Sequence, residues 1–192
     1  MTFQQISKHI ILASKSPRRQ NLLKELGFDF EIRTKEVEEV YPSGLKREQV
    51  ALYLSELKAD TFKDELLPDE LIITSDTIVC LGEEIIGKPT DRQDAIKMLQ
   101  KLSGKRHEVI TAVTLLSKEK KRSFYEISEV YFKELTLPEI EYYIDNYQPY
   151  DKAGSYGIQE WIGYIAIEKI NGSYFNVMGL PVKKLYEELI CF

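Results

Sequence analysis

The chain has 192 residues, enough to bury one sizeable core or two smaller ones. Its 26 Lys and Arg against 31 Asp and Glu give a net charge of −5, which argues against bulk binding to nucleic acid, because that partner favours a basic surface. No apolar run is long enough to cross a membrane and the first residues lack a signal-peptide pattern, so we expect a cytoplasmic protein with no membrane partner.

The cysteines and histidines limit the metal chemistry. Cys80 and Cys191 form neither a disulfide framework nor a CxxC motif, and Cys80 lies in an apolar run typical of a buried thiol. With His9 and His107 as the only histidines, a multi-histidine zinc site is excluded. Any metal is therefore expected to be a hard cation bound by carboxylates, such as Mg²⁺.

The first motif is a strand that runs into a helix, over residues 10–27. Ser16 is a preferred N-cap, Pro17 suits the first helical position, and leucines follow at helical spacing. The helix nevertheless begins with Arg18 and Arg19, although its first turn carries the positive end of the macrodipole. A phosphate bound at the helix start would resolve this mismatch. The alternative is that both arginines are solvated or pair with an acidic neighbour.

The rest of the chain alternates helices and strands at both ends and pairs strands directly in the middle. Apolar periodicity, with capping residues Thr90 and Thr136, predicts helices near 46–62, 90–102, 136–147 and 181–189. Apolar or β-rich runs predict strands near 9–14, 28–33, 71–74, 78–81, 108–116, 122–132 and 164–170. This order indicates a mixed α/β fold and not a repeated βαβ winding.

Two polar residues in the middle of the chain are candidates for chemistry. Asp76 follows the predicted strand at 71–74, and ligands bind at the carboxyl ends of strands in open α/β sheets. Aspartate is also common in ordinary turns. Lys88 stands between Gly87 and Pro89, so it could direct an ammonium group at a phosphate or simply be an exposed turn residue.

Two further charged positions have alternative interpretations. Glu39 belongs to an acidic run that is either a solvated surface or the source of a magnesium ligand. Lys58 shares a helical face with Leu54 and Thr61, so it points toward the interior or extends along the helix to reach water.

Two glycine-containing segments lie late in the chain. Asp151–Gln159 combines small residues with Gln159, whose side-chain amide both donates and accepts hydrogen bonds and so suits the edge of a base. Gly172–Pro181 reads as a loop that enters a helix, which is a candidate for a second anion site.

Together these segments resemble the Maf-like nucleoside triphosphate pyrophosphatases over almost the whole chain. The motifs that match, in the family's order, are Ala13-Ser14-Lys15-Ser16-Pro17-Arg18-Arg19, Ser75-Asp76-Thr77, Gly87-Lys88-Pro89, Leu102-Ser103-Gly104 with His107, Thr111-Ala112-Val113, Asp151-Lys152-Ala153-Gly154, Gly157-Ile158-Gln159, Gly172-Ser173-Tyr174 and Gly179-Leu180-Pro181. The resemblance implies one domain over residues 1–192, with an elongated mixed sheet, flanking helices and two lobes around a deep groove, similar to inosine triphosphate pyrophosphatases. It also implies a homodimer.

The resemblance implies hydrolysis of a nucleoside triphosphate to the monophosphate and pyrophosphate, with Asp76 as the base that activates water. Substrate choice is associated with Arg18, Thr77 and Gln159, and threonine after the aspartate resembles the subfamily that acts on dTTP and UTP. Phosphate binding is implied for four residues: Ser14, Arg19, Lys58 and Lys88. Glu39 and Asp76 are expected to hold a divalent cation, Mg²⁺ or else Mn²⁺.

The chain departs from the family's usual sequence at two places. Glu160-Trp161-Ile162-Gly163 stands where many relatives have small residues, and Phe175–Met178 also differs. These departures leave open the same reaction on 7-methyl-GTP or on a modified nucleotide. A nucleotide-binding regulator of cell division with little turnover is the alternative from another class.

Overall fold

The structure, a computed structural model, describes residues 7–192. The strands are β1 (His9–Leu12), β2 (Phe30–Ile32), β3 (Glu70–Leu81), β4 (Glu84–Ile86), β5 (Arg106–Leu116), β6 (Lys121–Phe132) and β7 (Ile167–Asn171). The α-helices are α1 (Pro17–Glu25), α2 (Glu48–Asp60), α3 (Arg92–Leu102), α4 (Leu137–Tyr147), α5 (Trp161–Ala166), α6 (Tyr174–Met178) and α7 (Val182–Ile190). Two 3-10 turns cover Pro149–Asp151 and Ala153–Ser155.

The strands form a mixed sheet with the order β2-β1-β3-β5-β6-β7, and β4 pairs with β3. β1 is parallel to both β2 and β3, with Ile10 opposite Phe30 and Leu71. The β3–β4 and β6–β7 pairs are antiparallel. The predicted mixed α/β class, a sheet accompanied by helices, is confirmed.

The described chain forms two compact units. The first contains the chain up to Asp76, together with Thr111–Glu126 and Gly179–Phe192; the second contains Thr77–Ile110 and Ile127–Met178. The prediction of one domain over residues 1–192, like the absence of a signal peptide, includes residues 1–6, which lie outside the described residues, and stays a prediction.

In the first unit, the core lies around the parallel strands β1 and β3. Ile11 and Ile72 are fully buried and pack in one cluster with Ala59 and Phe62. Continuous apolar runs are typical of parallel strands, because both faces of such strands are covered. This packing holds the beginning of β3, and with it the residues that lead to Asp76.

In the second unit, the core brings α3 and α4 against sheet residues. Leu99 and Leu102 of α3 pack with Val130 of β6 and with Tyr143 and Ile144 of α4, all fully buried. The predicted capping box of α4 is confirmed, since the side chains of Thr136 and Glu139 each accept from the other's backbone N–H.

Three local predictions are wrong. Residues 70–81 form one strand, so Asp76 lies within β3 and not at the end of a strand. Ser75 and Asp76, between the two predicted strands, are both buried, and the hydroxyl of Thr74 before them donates to the carbonyl of Ser55 at 2.7 Å. The N-cap of α3 is Asp91 and not Thr90, because Asp91 Oδ1 accepts from Asp94 N at 2.9 Å. The strand predicted at 164–170 begins too early, since residues 161–166 are helical and β7 begins at residue 167. The pattern misled because a short apolar run fits either a helix or a strand.

None of the helices within residues 7–192 combines the length and the apolar character needed to span a membrane.

Candidate active site

Three predicted site residues from separate segments meet in the first unit. Asp76 of β3 is 6% exposed, and its Oδ1 lies 2.5 Å from Nζ of Lys58 on α2. The same Nζ lies 2.8 Å from Oε1 of Glu39. The helical face that Lys58 shares with Leu54 thus turns the ammonium group inward, where it bridges two carboxylates.

The surroundings of Asp76 favour a carboxylate that takes up protons readily. Burial raises the pKa of Asp76, and the nearby charge of Glu39 acts in the same direction. Lys58 and Arg19 oppose this shift, because positive charge favours the ionised carboxylate. The net result is a raised pKa, which makes Asp76 a stronger base than an ordinary aspartate while cations remain beside it.

Arg19 is held by the backbone. Its Nε donates to the carbonyl of Gly179 and its Nη1 to the carbonyl of Ser75, both at 2.8 Å. The hydroxyl of Ser75 donates to the same Gly179 carbonyl at 3.3 Å. These bonds fix the guanidinium on the backbone of Ser75, the residue that precedes Asp76. Sequence reasoning missed this arrangement, because backbone carbonyls leave no residue-type signal.

The start of α1 has the features expected of an anion site, and the binding of an anion there stays a prediction. The first turn of α1 contains no acidic residue, and the side chain of its N-cap, Ser16, makes no capping hydrogen bond. Ser14 is buried, and its Oγ accepts from Ser16 N at 3.2 Å. Arg18 and Arg19 follow at this helix end, and the charge of Arg18 contributes to the lowered pKa of Arg19, after the larger effect of burial.

The other predicted site residues belong to the second unit. Thr77 follows Asp76 in β3 and is half-buried. Lys88 is exposed on the turn after β4, and the carbonyl of the preceding Gly87 accepts from Gly154 N at 2.9 Å. This bond joins two of the sequence motifs. Gln159 is half-buried, and its Oε1 is buried without a hydrogen-bond partner among residues 7–192.

The departures from the family's sequence have clear places in the second unit. Glu160 accepts a hydrogen bond from the hydroxyl of Tyr143 and lies 3.1 Å from Nζ of Lys152. Trp161 packs against Tyr142 with ring centroids 4.8 Å apart. The sequence singled out Glu160 only as an unusual residue, and nothing in it indicated these partners.

The segment predicted as a second anion site uses its polar groups internally. Asn176 of α6 is fully buried, and its Nδ2 donates to the carbonyl of Val109 at 3.1 Å and to Oγ of Ser128 at 2.9 Å. Ser128 in turn donates to the carbonyl of Ser173. An anion site here stays a prediction.

The donor set for a metal is small. Within residues 7–192 no group of three or more His, Cys, Asp or Glu side chains could hold a metal ion. Glu39 and Asp76 supply two carboxylates that already share one cation, the ammonium of Lys58. Two carboxylates are enough for Mg²⁺ when phosphate oxygens and water complete its coordination, so the residues fit a metal that binds together with a nucleotide.

The comparison with known proteins identifies the family. The family model described as Maf-like protein matches residues 9–192, so the chain belongs to the Maf-like protein family, as its motifs predict. A dTTP/UTP pyrophosphatase of Phocaeicola vulgatus is 56% identical over 181 residues, 94% of each chain. A dTTP/UTP pyrophosphatase of Cytophaga hutchinsonii is 54% identical over 180 residues, 94% of this chain and 82% of that one. Among solved structures, the Staphylococcus aureus Ham1 protein is 18% identical, with a TM-score of 0.45 over 65% of this chain and 72% of its own.

Proposed function

We propose that this chain is a nucleoside triphosphate pyrophosphatase that hydrolyses dTTP and UTP to the monophosphate and pyrophosphate. Two relatives with that name are 54% and 56% identical to it over 94% of its length. The observation in the structure that carries the proposal is the buried carboxylate of Asp76, held by Lys58 beside the fixed guanidinium of Arg19.

Asp76 is proposed as the general base. A water that attacks the α-phosphate must lose a proton, and the buried carboxylate of Asp76 would accept it. Arg19 and Lys58 place positive charge beside this carboxylate, where it stabilises the negative charge of the phosphates as the bond to pyrophosphate breaks.

Glu39 and Asp76 would hold a divalent metal, proposed as Mg²⁺, with Mn²⁺ as the alternative. When bound, such a metal neutralises phosphate charge and lowers the pKa of water. The two carboxylates are spaced closely enough to share the Lys58 ammonium, which supports their joint affinity for a cation.

The remaining predicted residues are proposed to bind the substrate. Ser14, Arg18 and Lys88 would contact phosphates, and the uncapped, acid-free start of α1 supports this role for Ser14 and Arg18. Arg18, Thr77 and Gln159 would determine the choice of substrate. The buried and unpartnered Oε1 of Gln159 supports such a role, because a buried acceptor gains from a donor on a ligand.

The cell compartment and the assembly are proposals that rest on the family resemblance. We propose a cytoplasmic enzyme that acts on free nucleotides and forms a homodimer. Light scattering coupled to size-exclusion chromatography gives the mass of the particle in solution, and a monomer at micromolar concentration would contradict the dimer.

The test is a turnover assay with Mg²⁺ on dTTP, UTP, CTP, dATP, GTP and 7-methyl-GTP, with monophosphate, pyrophosphate and orthophosphate all quantified. Pyrophosphate release from dTTP and UTP is the expected result. Orthophosphate release would place the cut at another bond and overturn the mechanism. Preference for 7-methyl-GTP would change the substrate, and binding without turnover would favour a regulator.

The substitution Asp76→Asn tests the base. It removes the proton acceptor and keeps the shape, so turnover is expected to fall at least about 100-fold while nucleotide binding persists. Asp29→Asn, which changes an exposed carboxylate of the same unit, is the matched control and is expected to keep full activity. Unchanged turnover in Asp76→Asn would remove this residue from the mechanism.

A further inference from the structure

We propose that Glu160 is a positioning residue that fixes the direction of the Gln159 amide and so sets the preference for uracil and thymine over cytosine. The inference rests on the proposed function, because it takes Gln159 to be the side chain that meets the base of a pyrimidine triphosphate.

The Glu160 carboxylate is held at both oxygens by buried groups. Oε2 accepts a hydrogen bond from the hydroxyl of Tyr143, and Oε1 lies 3.1 Å from Nζ of Lys152. Tyr143 is fully buried and Lys152 is 8% exposed. Burial and the bond to Glu160 raise the pKa of Tyr143, so its hydroxyl stays protonated and continues to donate. The same hydroxyl accepts from Gly157 N at 2.9 Å, which ties the carboxylate to the loop before Gln159.

Glu160 and the nitrogen end of Gln159 lie against the same side of Gly157. A Cβ atom placed on Gly157 would lie 2.8 Å from Cδ of Glu160, 2.9 Å from its Oε2 and 3.0 Å from Nε2 of Gln159. A carboxylate attracts the N–H groups of a nearby amide and repels its carbonyl oxygen. The charge of Glu160 therefore favours the rotamer of Gln159 that turns Nε2 toward it and Oε1 away from it.

The turn that contains Gln159 and Glu160 is held by its own backbone hydrogen bonds. Glu160 N donates to the carbonyl of Gly157 at 3.0 Å, and Gly163 N donates to the carbonyl of Glu160 at 2.8 Å. A Cβ atom on Gly163 would come within 1.8 Å of the carbonyl oxygen of Ile158. The turn that presents Gln159 is thus close-packed on its own backbone.

The direction of the amide decides which base it can pair with. Oε1 of Gln159 is buried without a hydrogen-bond partner among residues 7–192, so a donor on a ligand that reaches it would satisfy this acceptor. Uracil and thymine donate from N3–H, whereas N3 of cytosine only accepts. An amide free to turn by half a revolution would present its NH₂ group to cytosine equally well. An amide held in one direction discriminates, because the wrong base leaves a buried acceptor unpaired.

The experiment compares UTP with CTP, which differ only at this edge of the base. Wild type, Glu160→Gln and Glu168→Gln are assayed for kcat and KM, and dissociation constants are measured by calorimetry in the Asp76→Asn background, where turnover is removed. Glu160→Gln keeps the shape of the side chain and removes its charge, while Glu168→Gln neutralises an exposed carboxylate of the same unit.

For Glu160→Gln, the preference for UTP over CTP is expected to fall about tenfold in both kcat/KM and dissociation constant. The change should appear mostly in KM, with kcat on UTP nearly kept, and Glu168→Gln should match wild type. Tyr143→Phe, which removes the hydroxyl that holds the carboxylate, should change the preference in the same direction and serves if Glu160→Gln fails to fold.

An unchanged preference for UTP over CTP in a folded Glu160→Gln protein would overturn the inference. If activity on both nucleotides falls equally, the role of Glu160 is purely structural. Absence of turnover in wild type would overturn the proposed function alone, because the ratio of dissociation constants still measures the choice between the two bases.

Discussion

We expect the buried histidine of the second unit, His107, to make the protein less stable in acid. His107 of β5 is 1% exposed, and its Nε2 lies 2.8 Å from the hydroxyl of Tyr156. Its ring meets those of Phe132 and Tyr156 edge-to-face, with centroids 4.9 and 5.4 Å apart. Burial lowers the pKa of His107 to about 4, because the charged imidazolium would lose its hydration there.

The sign of the effect follows from which state binds the proton. An exposed histidine in the unfolded chain has a pKa near 6.5, so between pH 6.5 and pH 4 the unfolded state is protonated at this position and the folded state is not. The contribution of His107 to the free energy of unfolding is therefore fully present above pH 6.5 and is lost as the pH falls toward 4. Between pH 7.5 and pH 5 the loss is about 2 kcal/mol in the free energy of unfolding, at about 1.4 kcal/mol per pH unit.

Urea unfolding followed by tryptophan fluorescence measures this loss. Trp161 is the single tryptophan of the chain, and it belongs to the same unit as His107. His107→Gln removes the titrating group, so subtracting its free energies of unfolding from those of wild type cancels the other ionisations. The difference between the two proteins should shrink by about 2 kcal/mol from pH 7.5 to pH 5. Parallel pH profiles would refute the reasoning.

Two further substitutions have matched controls. Gly163→Ala should lower the free energy of unfolding by about 3 kcal/mol or more, because its Cβ would meet the Ile158 carbonyl oxygen. Gly44→Ala is the control: its Cβ would have nothing within 4 Å, so it should be nearly neutral in the same urea assay. Lys58→Met should lower kcat/KM for dTTP at least about 100-fold, because the carboxylates of Glu39 and Asp76 lose their shared cation. Lys63→Met changes an exposed lysine and should match wild type. Equal activity of both variants would contradict a role for Lys58 in the reaction.

Much of the first unit could be predicted from residue types and spacing. The strand–helix unit at residues 10–27 follows from an apolar run, Ser16, Pro17 and a leucine stripe. Helical periodicity placed Lys58 on the inner face of α2, and the structure confirms that its ammonium points to Asp76. These predictions succeed because local patterns decide both the element and the face of the residue.

What the sequence could not predict are contacts made through the backbone or through unremarkable polar residues. Arg19 bonds two carbonyls far along the chain, and any residue type supplies a carbonyl. β3 continues through Asp76, because tertiary burial overrides the turn preference of Ser and Asp. The Tyr143–Glu160 bond joins α4 to a loop, and each residue alone is common on a protein surface.

The two hydrogen bonds from Arg19 to the carbonyls of Ser75 and Gly179 have a consequence during protein synthesis. Residues 19 and 75 emerge from the ribosome early, but the carbonyl of residue 179 comes after most of the chain. Because contacts so distant in sequence form only after the intervening chain has been ordered, a nascent chain can fold β1, α1 and β3 while this guanidinium still lacks its second carbonyl. The second contact of this guanidinium is therefore timed by translation of the segment just before α7 and not by formation of the early sheet.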